Sequence, residues 1–161
     1  MTKYWIKPVG LKEPNHIKAG EVFDESIERM NFSLKQPKSV VPGDILIVYA
    51  IGDGMILSYF QVISEPFFAK ESDPFWQTWM SRWPWYVLVE NLSPKFGKEW
   101  WKYSLKFSRL KEYYIRSHPQ RAISINGSQK LGSLNYGSDK AQIDPEFAGF
   151  LIEKIQYVSA L

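Results

Sequence analysis

Four tryptophans lie within ten residues of each other: Trp76, Trp79, Trp83 and Trp85. Indole rings fill cores, but they also stack on planar ligands such as nucleic-acid bases. Trp85 opens an apolar run and is expected in the core, whereas Trp76 and Trp79 precede that run and suit the rim of a cleft. The cluster therefore predicts either a hydrophobic cap over one end of the fold or an aromatic wall that sandwiches a planar ligand.

The stretch from Asn126 to Lys140 is a second feature that could form a binding site. It is rich in glycine and serine, a composition typical of tight turns. No Gly-Lys-Ser/Thr follows, so it is not a Walker phosphate loop. Two interpretations stay open. The stretch is either a plain surface loop, or a loop whose amides line a polar pocket together with Asn126, Ser128 and Ser133.

Signals for catalysis are weak. The two histidines, His16 and His118, lie far apart and have no acidic residue at ligand-like spacing, so we expect neither a metal site nor a cofactor. No nucleophile elbow marks a catalytic serine. The absence of cysteine excludes disulfides, thiolate zinc sites and thiol catalysis.

The elements that must position these residues are organised around one hairpin. The run Asp44–Ile51 is almost entirely apolar, the turn Gly52–Gly54 follows, and a second apolar run extends from Met55 to Ile63. Three residues that readily reach positive φ between two such runs predict a tight hairpin. Because a strand that is apolar on both faces must be covered on both, we expect it at the centre of a small closed barrel or covered sheet.

We expect strands near residues 3–8, 44–51, 55–64 and 85–91 to share one curved sheet. Helices are predicted after Asp24, with Ile27 and Met30 on the buried side, from Arg109 to Ser117, and after Asp144. The last has the clearest signal, since Asp as N-cap is followed by Pro at the first helical position. Residues 100–107 suit either a strand or an irregular segment. The predicted fold is α+β: one domain over residues 1–161, a small curved β-barrel flanked by short helices with a C-terminal helix.

Composition points in the same direction without deciding the partner. The formal charge is +3 and the pI about 9.0, which is compatible with a nucleic-acid partner but does not demonstrate one. Aromatic residues make up 16% of the chain, an excess that favours stacking surfaces. Because the sequence has no signal peptide and no long apolar span, we expect a cytoplasmic protein without membrane contact.

Five short motifs occur in an order that resembles EVE domains. EVE domains belong with YTH and ASCH domains in the PUA-like group, which are small β-barrels flanked by helices. The resemblance covers nearly the whole chain. The motifs are Tyr4-Trp5-Ile6-Lys7-Pro8, Gly20-Glu21-Val22-Phe23, Pro42-Gly43-Asp44 with Tyr49 in the following strand, Ser64-Glu65-Pro66, and Trp83-Pro84-Trp85-Tyr86.

The resemblance implies a nucleic-acid-binding domain without catalysis of its own. Members of the group hold a flipped, modified base in a pocket at the barrel mouth, such as a methylated adenine or cytosine in DNA or RNA. Eight side chains would form that site here: Phe23, Trp79 and Trp83 as ring partners, Tyr49 as a pocket wall, Asp24, Asn126 and Ser128 at the base edge, and Lys7 at a phosphate or a carbonyl.

Two positions depart from the family pattern. Phe23 stands where YTH-like relatives have a cage tryptophan, and Lys7-Pro8-Val9-Gly10 replaces the usual Lys-Ser-Glu-Pro of EVE members. A phenylalanine wall stacks more weakly than tryptophan, and the neighbouring Asp24 carboxylate can accept hydrogen bonds from an exocyclic amine. The identity of the base is therefore open.

Two other functions also remain open. An ASCH-like hydrolase or nuclease would act on nucleotides or modified nucleosides, using Lys7 with an acid such as Asp24 or Glu21. It requires both groups in one pocket with shifted pKa values. A protein-interaction module would instead use the tryptophan cluster as an exposed patch without a cleft.

Overall fold

The central hairpin is present as expected. The computed structural model describes residues 1–10, 27–94, 102–134 and 139–159. Strands β3 (Ile45–Ala50) and β4 (Met55–Val62) pair antiparallel. In the turn between them Gly52 has φ 97° and Gly54 has φ 68°, values that a residue with a Cβ rarely adopts.

The hairpin belongs to one mixed sheet, which contains eight strands in the described residues. The six strands outside the hairpin are β1 (Tyr4–Val9), β2 (Arg29–Phe32), β5 (Phe67–Phe68), β6 (Trp85–Asn91), β7 (Leu105–Lys106) and β8 (Ala141–Ile143). The strand order is β2-β6-β4-β3-β1-β8, with β5 added to β6 and β7 added to β4. β1 runs parallel to β3, and the remaining ladders are antiparallel. All four predicted strands therefore share one sheet.

The sheet curls around its inner face, where β1, β2, β3, β4 and β6 bury an apolar cluster. Trp5, Phe32, Leu46, Phe60 and Val87 belong to it, and no residue of a described helix is among its buried members. An apolar face without a helix over it is buried when the sheet closes on itself. The fold is thus α+β, with a small curved, barrel-like sheet.

Two helices cover the outer face of the sheet. α1 (Phe107–Ser117) and α2 (Pro145–Ser159) bury Phe107, Tyr114 and Phe147 against it. α2 starts as predicted, because the Asp144 carboxylate accepts the N–H of Glu146 at 2.9 Å. α1 is also confirmed and starts two residues before Arg109. Between β5 and β6 lies one π-helical turn, Trp76–Met80. No helix in the described ranges is long and apolar enough to cross a membrane.

One predicted helix is wrong in its described part. Ile27 and Met30 have helical spacing, yet residues 29–32 form β2, which pairs antiparallel with β6. Met30 and Phe32 both reach the inner face and are buried, whereas the intervening Asn31 is only partly covered. This is the two-residue alternation of a strand. Asp24, the proposed cap, lies outside the described residues.

Candidate functional site

The Asp139 carboxylate joins the two ends of the curled sheet. Asp139 lies just before β8, and its two oxygens accept the backbone N–H of Ser33 at 3.0 and 3.1 Å. The Ser33 hydroxyl donates to the same carboxylate. Ser33 follows β2 directly, and β2 and β8 are the two ends of the strand order. We call this junction, with Lys7 and Phe32 beside it, the seam.

Lys7 of β1 is buried at the seam, with only 4% of the residue exposed. Its Nζ donates to the Pro8 carbonyl at 3.1 Å and lies 4.7 Å from the centre of the Phe32 ring. Phe32 is part of the inner cluster, so the ammonium is held against the inner face. Lysines are almost never fully buried without a charged partner. This one therefore marks the seam as a candidate site.

Charge and burial at the seam act on Lys7 in opposite directions. Burial lowers the pKa of Lys7 from 10.5 to about 8, while the nearby Asp139 carboxylate raises it and Lys140 lowers it. Burial also lowers the pKa of Lys140, whose Nζ lies 5.6 Å from the centre of the Trp5 ring. Two cations and one carboxylate thus meet at this end of the barrel, against aromatic rings.

Replacing Asp139 with alanine is expected to destabilise the fold by about 1–3 kcal/mol, because the Ser33 N–H and hydroxyl lose their acceptor. Urea unfolding measures the change. Asp53→Ala is the matched control, since Asp53 is exposed in the β3–β4 turn, and a surface substitution of this kind stays within about 0.5 kcal/mol. Equal losses in the two variants would show that the carboxylate does not hold the seam together.

A second feature is the aromatic surface, on which rings contact one another while facing solvent. The Phe68 ring lies 5.1 Å from that of Trp85 and 6.1 Å from that of Trp76. Phe75 stacks on Trp79 at 6.2 Å. Phe68 and Phe75 are 52% and 51% exposed, and exposed aromatic patches mark sites of interaction. The aromatic surface consists of Phe67, Phe68, Phe75, Trp76, Trp79 and Tyr86.

The aromatic surface adjoins the strand that leads to the seam. Asn31 of β2 donates its side-chain amide to the Trp83 carbonyl at 2.8 Å. The Trp85 indole N–H donates to the Leu34 carbonyl at 3.1 Å. Trp83 and Trp85 are therefore hydrogen-bonded to Asn31 and Leu34, the two residues that flank Phe32 and Ser33. Trp85, expected in the core, is only partly buried and packs at the margin of the inner cluster.

Comparison with known proteins supports the fold and names no function. No protein-family model and no curated protein matches the chain. A crystal structure of a Pseudomonas putida protein superimposes with a TM-score of 0.50 at 11% identity, over 94% of this chain and 99% of the other. An NMR structure of a Rhodopseudomonas palustris protein gives 0.48 at 9% identity, over 97% and 94%. Both are structural genomics targets. The first likeness supports the barrel-like architecture and nothing beyond it.

The structure places the predicted site residues in several parts of the fold. Lys7 lies at the seam, Trp83 beside β2, and Trp79 on the aromatic surface. Phe23, Asp24 and Glu21 lie outside the described residues, as does His16.

Tyr49 is not brought to Lys7. Tyr49 pairs with Pro8 in the β1–β3 ladder, and its side chain packs at the outer face, with the Phe107 ring 5.6 Å away edge to face. Lys7 is held at the inner face, so the sheet separates the two side chains. Tyr49 lines a different cleft, described below.

Asn126 and Ser128 form a local turn. The side-chain Oδ1 of Asn126 accepts the Ser128 N–H at 3.2 Å and the Ser124 hydroxyl, and Gly127 between Asn126 and Ser128 has φ 90°. Ser124 bridges to Ile143 of β8. The turn therefore borders β8, and its oxygen acceptor is already used within it.

Sequence reasoning missed three side chains of the seam and the neighbouring Lys140. Phe32, Ser33, Asp139 and Lys140 stand in stretches assigned to a helix or to a loop. Their partnership joins positions 106 residues apart, so no local spacing indicates it. No group of three or more metal-ligating side chains occurs in the part of the chain that the structure describes.

Proposed function

We propose that the protein is a nucleic-acid-binding domain of the EVE type that holds one unstacked base, a methylated adenine or cytosine, at the seam. The observation that carries the proposal is the buried ammonium of Lys7. Burying a charge costs free energy, and strongly shifted groups in proteins cluster at functional sites. Within the described residues Lys7 uses one of its three donors, on Pro8. An ammonium in this place suits a base carbonyl or a phosphate oxygen.

The aromatic surface supports the same proposal. Each base that stacks on a ring gains about 1–3 kcal/mol, which offsets the few kcal/mol required to unstack it from its neighbours. Cations accompany the rings, since the Arg29 guanidinium lies 5.1 Å from the Tyr86 ring and that of Arg82 lies 5.0 Å from the Trp83 ring. Such cations can follow a phosphate backbone, and the net charge of +3 favours polyanions.

The EVE assignment stays part of this proposal. It is supported by the order of the five sequence motifs. Further support comes from Lys7 and Trp83, which belong to the first and the last motif. Both contact β2, Lys7 through the Phe32 ring and Trp83 through its backbone carbonyl. Family-level likeness alone does not give a function, so the proposal depends on the binding experiment below.

Replacing Trp83 with alanine is expected to weaken oligonucleotide binding by about 1–3 kcal/mol, more for the methylated base than for its unmodified counterpart. The measurement is fluorescence anisotropy with single-stranded DNA and RNA that differ only in one adenine or cytosine methyl group. Tyr113→Ala is the control, because Tyr113 is an exposed ring of α1 on the outer face. Melting temperatures are measured to check that both variants remain folded.

Three outcomes would overturn the proposal. Affinity that does not fall with rising salt would exclude phosphate contacts. Equal oligonucleotide affinities of Trp83→Ala and Tyr113→Ala would show that the base does not bind at the seam. If no oligonucleotide binds, the aromatic surface is better explained as a contact for another protein.

A hydrolase is the second candidate, and the lowered pKa of Lys7 favours it. With a pKa of about 8, Lys7 is a neutral amine in a fraction of the molecules near neutral pH, and in that form it can accept a proton. Asp139 is the acid that the described residues bring near it. Turnover of nucleotides or modified nucleosides that disappears in Lys7→Met would establish this function. Stoichiometric binding without product would exclude it for those substrates.

A further inference from the structure

A separate cleft opens on the outer face of the sheet, with a volume of about 410 Å³. It lies between the β3–β4 turn, the start of α1 and residues 132–134. No carboxylate is found among the described residues that line it. Its polar lining includes Tyr49, Lys106, Ser108, Lys111 and Ser133.

Two polar groups converge above Gly54 in this cleft. A Cβ placed on Gly54 would lie 3.5 Å from Lys106 Nζ and 3.6 Å from the Tyr49 hydroxyl. Lys106 Nζ is fixed there by the backbone carbonyl of Asp53, at 3.1 Å. The glycine, whose φ is 68°, therefore leaves room for a small group that both donors can reach.

Two lysines line the cleft, Lys106 and Lys111. Lys111 Nζ lies 5.3 Å from the centre of the Phe107 ring. Neither Lys106 nor Lys111 is in an ion pair with a described acidic side chain. The first turn of α1 opens here as well, and it adds the positive end of the helix dipole. An anion is the ligand that satisfies all of these groups.

We propose that the cleft binds the phosphate group of a small phosphorylated molecule of mononucleotide size. Lysine ammoniums bind phosphate as point charges, and hydroxyl groups complete the hydrogen bonding. The volume is within the range of about 300–1,000 Å³ that small-molecule sites occupy, so the phosphate leaves space for an attached ring system. Because Tyr49 and Lys7 lie on opposite faces of the sheet, this site is distinct from the seam.

The test is an NMR titration of the full chain, in which backbone amide shifts are followed with inorganic phosphate, a nucleoside monophosphate and the parent nucleoside. We expect saturable shifts in residues 52–54 and in the first turn of α1. Lys106→Gln/Lys111→Gln should weaken nucleoside monophosphate binding at least about tenfold, because two charged donors are lost. Lys38→Gln is the control, an exposed lysine outside the cleft.

Each result decides the proposal. A nucleoside monophosphate that binds more tightly than its nucleoside, and that loses affinity only in the double variant, supports it. Scattered, unsaturable shifts, or equal losses in the double variant and in Lys38→Gln, overturn it. If an oligonucleotide saturates the shifts of these amides and the monophosphate does not, the cleft binds nucleic-acid phosphates. That result would overturn the proposal of a small phosphorylated ligand. Seam variants are expected to leave these shifts unchanged.

Discussion

Replacing Lys7 with methionine is expected to stabilise the fold near neutral pH by up to about 3 kcal/mol. The lysine is 4% exposed, and burial lowers its pKa to about 8 from 10.5. The folded protein therefore carries, at neutral pH, a charge that the unfolded chain keeps in water at lower free energy. Methionine occupies a similar volume without that charge, so the cost of burying it disappears.

The sign of the pH dependence follows from the direction of this pKa shift. Below about pH 8 both the folded and the unfolded state hold the Lys7 proton, and the cost of its burial is present in full. Between about pH 8 and pH 10.5 the folded protein releases the proton while the unfolded chain retains it. The stability of the wild-type protein should therefore rise relative to Lys7→Met across this window, and the two should converge above it.

Urea unfolding at about pH 7 and about pH 10 measures both effects. Lys38→Met is the control, because Lys38 is exposed and its replacement should change neither the stability nor its pH dependence. A Lys7→Met protein that is less stable at neutral pH, or a difference that stays constant over the window, would contradict the expectation. If Lys7 also binds the ligand, the more stable variant is the weaker binder, which is the usual exchange between stability and function.

Replacing Asp44 with alanine is expected to have the largest effect on the free energy of unfolding, a loss of about 3–5 kcal/mol. Asp44 is buried, and its carboxylate accepts the backbone N–H of Lys3, the backbone N–H of Val41 and the indole N–H of Trp5, each at 3.1 Å. The Lys3 ammonium lies 3.6 Å away. Alanine leaves these donors without an acceptor and releases the start of β1 from the start of β3.

Two variants give this prediction its controls. Asp44→Asn keeps the size and one acceptor oxygen, so its free energy of unfolding should lie between those of the wild-type protein and Asp44→Ala. Asp53→Ala removes an exposed carboxylate at the other end of β3 and should change stability by less than about 0.5 kcal/mol. A stability of Asp44→Ala equal to that of Asp53→Ala, measured by urea unfolding, would show that the carboxylate does not join the two strands.

The features predicted correctly from sequence are those with local signals. The β3–β4 hairpin has two apolar runs around a glycine turn, and α2 has its cap and its proline within three residues. Both signals arise from neighbours in the chain, so composition and spacing contain them. The four predicted strands, of the eight that the described residues form, have local signals of the same kind.

The features that were missed depend on partners far along the chain. Residues 29–32 form a strand because β6 pairs with them, and a helical spacing of Ile27 and Met30 does not report that pairing. The Ser33–Asp139 junction likewise has no local pattern. Tyr49 is expected in one pocket with Lys7, yet the two lie on opposite faces of the sheet. The face of each residue depends on strand register, which the sequence pattern does not specify where both faces are apolar.

The position of β1 between β3 and β8 has a consequence for biosynthesis. Tyr4 is synthesised long before its partner Ile143 in β8. Contacts of such long sequence separation form slowly, because a long loop must close before they are gained. Until then β1 presents an unpaired edge, and exposed strand edges invite association with other chains. The sheet is thus completed only once β8 has been made, and the chain that still lacks β8 is the form most exposed to aggregation.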